Sequence, residues 1–283
     1  MSDRKYGFFL NGAYAPVAQD EAFAILSDLG YSYAEIGWTP RSGKVSDLIK
    51  SVKNAADAGL GISEAVVQLD YVVKDAALRE RNIADTLVSI DAAAEAGIGT
   101  VNLFTGPIPW GESPITAGRD ISEGDAWKII LDAFGRFVPA AEKAGVDIAV
   151  ENVWGHLCRD FFTAQYLVNR FGSPNLGVNF DPSHDRLAGL TDMRFLINGW
   201  GKSRIKHIHL KDAAGIQENG RFIFPMLGEG LVDWNGVRAG LDDIGYDGPL
   251  SVEWESGANR VYFDGDFRKT AASAIMGAKK LLG

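Results

Sequence analysis

Short apolar runs alternate eight times with longer amphipathic segments along this chain, and no other feature restricts its fold as much. The apolar runs lie at 6–10, 33–38, 60–68, 100–105, 147–152, 176–180, 205–210 and 250–255. They have the length and content of strands. The segments 20–29, 45–58, 78–96, 125–144, 163–171, 191–200, 234–244 and 267–282 repeat apolar residues at helical spacing. Several stop at a glycine, where a left-handed residue closes a helix. Thr163 is expected to cap the helix that it begins. Strands alternating with helices specify βαβ units and a parallel sheet. Eight pairs in 283 residues match a single (β/α)8 TIM barrel of the α/β class, occupying residues 1–283. The rival is a doubly wound open sheet. No Gly-x-Gly-x-x-Gly follows the first strand and no Walker sequence occurs, which argues against it.

Composition narrows the function classes. Net charge is −9, so no field attracts nucleic acid or an anionic membrane surface. Residues 1–6 carry no apolar stretch, and no run approaches the roughly 18 residues that span a bilayer. The only cysteine is Cys158, which excludes an intrachain disulfide framework and suggests a reducing cytoplasm.

In a barrel of this kind, chemistry sits where strands end and the following loops begin. Four expected strand ends carry a polar residue where an apolar one would pack better: Glu151, Asp181, His209 and Glu253. A buried carboxylate without a partner would protonate. Individually, Glu151 could join an ion pair between strands and Asp181, before Pro182, could cap a turn. Together the four could converge on one divalent cation. Three carboxylates and one imidazole favour Mn²⁺, with Mg²⁺, Co²⁺ or Zn²⁺ as substitutes.

The four histidines, His156, His184, His207 and His209, all lie near these strand ends. His207 and His209 are two apart and share one side of their strand. If His209 binds the ion, His207 sits one layer lower, and a structural or supporting role is expected for it ahead of substrate contact. His184, three residues after Asp181, can reach a substrate oxygen, and His156 could line the same mouth.

The motifs AVEN at 149–152, NFDPSH at 179–184, KHIHLKD at 206–212, and GEGLVDW at 228–234 followed by GYDGPLSVE at 245–253 resemble the xylose isomerase-like barrels of sugar phosphate isomerases and epimerases. That group includes ketose 3-epimerases, hydroxypyruvate isomerases and inosose-handling enzymes. In the N-terminal half only YAEIGW at 33–38 adds a weaker match. The resemblance implies metal ligands at Glu151, Asp181, His209 and Glu253, a substrate-binding His184, and a dimer or tetramer. Ketose 3-epimerases hold substrate with a Glu six residues after the first ligand and an Arg six after the ligand His. Here those positions are Leu157 and Gly215. His156, Lys211 or Arg186 would have to serve instead.

The expected reaction is an isomerisation or epimerisation of a keto-sugar or keto-polyol through a cis-enediolate, with Glu151 and Glu253 moving the proton. Segments 106–124, with Trp110, and 213–232, with Phe222 and Phe224, could close over the site, and 216–224 could form a hairpin. A lyase on the same barrel is the main alternative: dehydration of an inosose, or cleavage of a 3-keto-glycoside. An abasic-site endonuclease would need more histidines and a less acidic chain. A non-catalytic sugar-binding role is the remaining alternative.

Overall fold

The computed structural model describes residues 4–11, 17–111, 114–255, 263 and 265–283. Eight parallel strands close a barrel: β1 (Tyr6–Leu10), β2 (Tyr33–Gly37), β3 (Gly61–Val67), β4 (Thr100–Leu103), β5 (Asp147–Glu151), β6 (Leu176–Phe180), β7 (Ile205–Leu210) and, after an excursion, β10 (Leu250–Val252), which pairs back with β1. The outer helices are α1 (Gln19–Asp28), α2 (Val45–Asp57), α3 (Ala76–Ala96), α4 (Glu123–Ala144), α5 (Phe161–Phe171), α7 (Met193–Trp200), α8 (Trp234–Asp243) and α9 (Phe267–Leu282). A short α6 (Pro182–Leu187) precedes α7. The eightfold alternation thus folds as a (β/α)8 barrel. Among the described residues, no helix is long and apolar enough to cross a membrane.

Helices α3, α4 and α5 start earlier than expected because their caps lie further upstream than apolar periodicity reveals, whereas α7 starts later than 191, at Met193, with Asp192 as its cap. Helix α5 begins at Phe161, not at 163, because Asp160 is the cap. Its Oδ1 accepts the Thr163 N–H at 2.8 Å, and Thr163 Oγ1 accepts the Asp160 N–H at 3.1 Å. Thr163 is the second member of this capping box, not the first. Asp75 and Ser122 similarly start α3 and α4 two residues early. Helix α6 is too short to show a period; Asp181 caps it and Pro182 opens it.

Two irregularities aim side chains into the barrel. Ala34 pairs with Ile62, but Ile36 pairs with Ala65, so β3 spends one more residue than β2. That bulge lets the adjacent Ser63 and Glu64 both reach His207, a placement that strict alternation forbids. A second shift sets Val178 against Ile205 and Asn179 against His207.

Residues 213–232 form the excursion beyond β7. Strands β8 (Ala214–Gly215) and β9 (Phe222–Ile223) pair antiparallel, so the expected hairpin exists, displaced toward 214. Asp212 anchors both ends of the excursion. Its Oδ1 accepts the N–H of Ala213 and Val232, and its Oδ2 accepts those of Gly228 and Gly230 and the Trp234 indole N–H, all at 2.8–3.1 Å. A Cβ on Gly230 would lie 2.1 Å from Asp212 Oδ1. The Asp212→Asn change offers one acceptor oxygen for five donors. It should cost about 3 kcal/mol or more of stability. Urea unfolding checks this, and an unchanged midpoint would contradict the anchor.

Candidate active site

Four residues from four neighbouring strands meet at the C-terminal mouth. Glu151 ends β5, Asp181 follows β6, His209 lies in β7 and Glu253 follows β10. All four are buried, and one donor atom from each lies within 4.8 Å of the others. Asn152 fixes the backbone of Asp181, donating to its carbonyl at 3.0 Å and accepting its N–H at 3.1 Å. Asp181 Oδ1 is committed to the Ser183 N–H at 2.8 Å, whereas Oδ2 faces the site, where its neighbours are the Lys211 ammonium and His184 Nε2. That leaves one carboxylate oxygen for the site. His209 Nδ1 lies 3.1 Å from Glu151 Oε1 and 3.2 Å from Glu253 Oε2.

The electrostatics suit a cation. Burial pushes the Glu151 and Asp181 carboxyls above their usual range. Burial also opposes a charged His209, but Glu35, Glu151 and Glu253 outweigh it and hold the imidazolium well above its ordinary range. Lys211 lies 3.1 Å from Asp181 Oδ2, donates to Glu253 and to Glu255, and stands over the Phe224 ring at 4.8 Å. Burial opposes ionised Glu253 as well, yet Lys211 and His209 bring its carboxyl well below the usual range. Five carboxylates (Glu35, Glu64, Glu151, Asp181 and Glu253) share this interior with Lys211 and three histidines, His184, His207 and His209. The donor set and its excess of negative charge fit a hard divalent ion.

Glu35 and Glu64 escaped the sequence reading. With His207 and His209 they form a second buried group whose donor atoms also lie within 4.8 Å. Glu35 Oε1 sits 2.9 Å from His209 Nε2, on the far side of the ring from Glu151. Asn102 Nδ2 donates to both Glu64 Oε1 (3.1 Å) and Glu151 Oε2 (2.9 Å), linking the two layers. A signal was available for Glu35: an acidic residue inside the apolar run 33–38. Glu64 needed the bulge. His207 lies in the layer below, near Ser63 Oγ, Ser251 Oγ and Asn179 Oδ1 at 3.1–3.3 Å.

A cavity of about 300 Å³ opens above these residues. Glu151, His184, Lys211 and Glu253 line it, with Trp110, Trp154, Phe222 and Phe224 among its aromatic walls. Burial, and then Lys211, push the His184 pKa well below its ordinary value. Its Nδ1 faces the Trp154 N–H at 3.4 Å and its Nε2 lies 3.5 Å from Asp181 Oδ2. His156 lies behind this wall. It stacks on Trp110 at 5.5 Å and meets Phe104 edge-on at 5.0 Å. Burial pushes its pKa down to about 3, and neither ring nitrogen makes a hydrogen bond. Arg186 is turned away, donating to the Leu231 carbonyl at 3.1 Å. Cys158 is buried and its thiol pushed up by burial, as suits a structural residue.

Leu157 and Gly215 hold no polar group toward the cavity. Leu157 is fully buried in the core. A Cβ on Gly215 (φ 109°) would stand 2.3 Å from the Arg221 carbonyl oxygen, so β8 and β9 leave no room for a side chain there.

A family model described as "Xylose isomerase-like TIM barrel" matches residues 23–274. The inosose dehydratase of Geobacillus thermodenitrificans (strain NG80-2) is 23% identical over 160 residues, 51% of this chain and 52% of that protein. The chain spans about half the length of the curated relatives it matches. Among solved structures, the IOLI protein with a binding zinc atom superimposes with a TM-score of 0.79 at 17% identity, over 98% of both chains. D-psicose 3-epimerase in the presence of D-fructose gives a TM-score of 0.75 at 18% identity, over 99% of both.

Proposed function

Because this chain belongs to the xylose isomerase-like TIM barrel family, we propose that it is a divalent-metal-dependent isomerase or epimerase of a keto-sugar or keto-polyol. The observation that carries this reading is the meeting of Glu151, Asp181, His209 and Glu253 under a cavity of about 300 Å³. These four residues would hold the ion, Mn²⁺ in preference to Mg²⁺, Co²⁺ or Zn²⁺. When bound, a divalent ion supplies Lewis-acid polarisation of neighbouring carbonyl and hydroxyl oxygens. Glu151 and Glu253 reach the cavity from different strands. One removes the proton beside the carbonyl and keeps it, and the other, protonated beforehand, delivers its own proton to the opposite face of the enediolate carbon, which is what epimerisation requires. Lys211 favours the ionised form of Glu253 and presents a cation to a substrate oxygen, and His184 offers a hydrogen bond. His156 contributes by holding the Trp110 ring that walls the cavity. The reaction belongs to a cytoplasmic enzyme, and association into a dimer or tetramer fits the family. Incubating keto-sugars and inososes with the Mn²⁺-supplied protein tests the reading: product isomers of unchanged mass support it, and no conversion contradicts it.

A lyase reading on the same site is favoured by two observations. The curated relatives named above are inosose dehydratases. The contacts expected of a ketose 3-epimerase are absent at Leu157 and sterically excluded at Gly215. Here the proton leaves beside the carbonyl and a group on the next carbon departs, so dehydration lowers product mass by one water.

Glu35 supports the ligand histidine. A carboxylate on Nε2 fixes the tautomer in which Nδ1 is free to bind the ion. The Glu35→Gln change should weaken Mn²⁺ binding roughly 10- to 100-fold. Competition against a fluorescent chelator reads this, and unchanged affinity would remove Glu35 from the account.

A further inference from the structure

Residues 207, 209 and 211 alternate to one side of β7 and its end, and so enter the barrel at successive levels. His207 lies lowest and His209 reaches the four-residue cluster. Lys211 stands at the level of the cavity, which it lines together with Glu253, Glu255 and Phe224. An ammonium carries three N–H donors and no acceptor. Three carboxylates meet it here. Lys211 Nζ donates to Glu253 Oε2, and it lies 3.1 Å from Asp181 Oδ2 and 3.4 Å from Glu255 Oε1. The Phe224 ring centre is 4.8 Å away. Only 3% of the Lys211 side chain is exposed.

Two of these contacts fall on oxygens that the proposed ion requires. Asp181 turns only Oδ2 to the site, because Oδ1 accepts the Ser183 N–H at 2.8 Å. Glu253 Oε2 is also the oxygen that faces His209 Nδ1, at 3.2 Å. The ammonium therefore sits on the atoms through which the ends of β6 and β10 enter the ligand set. A divalent ion on the same oxygens would stand beside a positive charge in a buried space, where like charges repel strongly. The third contact is different. Glu255 is outside the ligand set and, with Phe224, faces the cavity. The flexible four-carbon stem of a lysine lets it trade one acceptor for another.

We propose that Lys211 and the divalent ion exclude one another from Asp181 Oδ2 and Glu253 Oε2, so that Lys211 sets the affinity for the ion and turns to the substrate only after ceding these oxygens. This rests on the metal-dependent reading given above. Having ceded them, Lys211 keeps Glu255 and the Phe224 face. The two N–H donors withdrawn from Asp181 and Glu253 are then available to a hydroxyl or carbonyl oxygen in the cavity. Binding is thereby ordered, ion first and sugar second. The exchange trades ionic contacts and breaks no covalent bond.

Lys211→Met keeps an unbranched stem and removes the charge. The Mn²⁺ dissociation constant of this variant, read by competition against a fluorescent chelator, should fall roughly 10- to 100-fold below that of the unaltered protein. That is the scale of one charge-assisted hydrogen bond lost by the competitor. A residue that merely supported the fold would weaken binding when removed. A second measurement follows the lysine itself. In protein carrying ¹⁵N-labelled lysine, the Nζ resonance of Lys211 is assigned by its absence from Lys211→Arg. Its NH₃⁺ hydrogens should exchange with water faster as Zn²⁺ saturates the site, because two of them leave their carboxylates. Unchanged or weaker Mn²⁺ binding by folded Lys211→Met, or exchange that Zn²⁺ saturation leaves unaltered, overturns the exclusion while the metal-dependent reading stands. Absence of Mn²⁺ binding by the unaltered protein overturns both.

Discussion

Glu151→Gln and Glu253→Gln each lower turnover by about a thousandfold or more, the loss expected when a positioned general base is removed. Glutamine keeps the volume and the neighbours of either side chain but cannot accept a proton. Asn102 still finds an oxygen at position 151, and Lys211 still finds one at position 253. The melting temperature should therefore change far less than the rate. The two variants differ in a useful way. With a proton acceptor on each face, the residual exchange of solvent deuterium into substrate and into product should respond oppositely in Glu151→Gln and Glu253→Gln. Near-normal turnover in both would eliminate the two-carboxylate scheme.

Removal of the divalent ion is the second large effect. Exhaustive chelation should abolish activity, and Mn²⁺ should restore it best. The same treatment should lower the melting temperature, because burial already raises the Glu151 and Asp181 carboxyls. Like charges about 4 Å apart repel by about 4 kcal/mol at the effective dielectric of a protein surface. A ligand present at about 100 times its Kd adds about 2.7 kcal/mol of stability. Retained activity in a verified metal-free sample would contradict the proposed ligand set.

Much of this site can be read from strand ends, because a barrel places consecutive strand ends around one mouth. Glu151, Asp181, His209 and Glu253 each interrupt an apolar run, and the structure brings them together. Reading failed where the backbone departs from regular periods. Glu64 turns inward with Ser63 only because of the extra residue in β3. Glu35 lies in a strand interior in the half of the chain with fewer recognisable motifs. Caps such as Asp160 sit upstream of the first periodic residue, so α3, α4 and α5 each begin two residues before their periodic segments. The motif ending in Asp212 invites a catalytic interpretation, yet its carboxylate is spent on five N–H groups that tie down the excursion. His156 is near the mouth in sequence but stands behind Phe104 and Trp110. Only side-chain packing separates a residue that lines a cavity from one that supports its wall.

The central claim is abstraction of the proton beside a carbonyl by carboxylates gathered around a divalent ion. Solvent deuterium incorporation tests it most directly, with the Mn²⁺-supplied protein, a set of keto-sugars and inososes in D₂O, and NMR of the recovered sugar. Deuterium at the carbon next to the carbonyl, dependent on the ion and lost in Glu151→Gln or Glu253→Gln, is the predicted result. Turnover that leaves that position fully protiated and independent of both carboxylates would contradict the account.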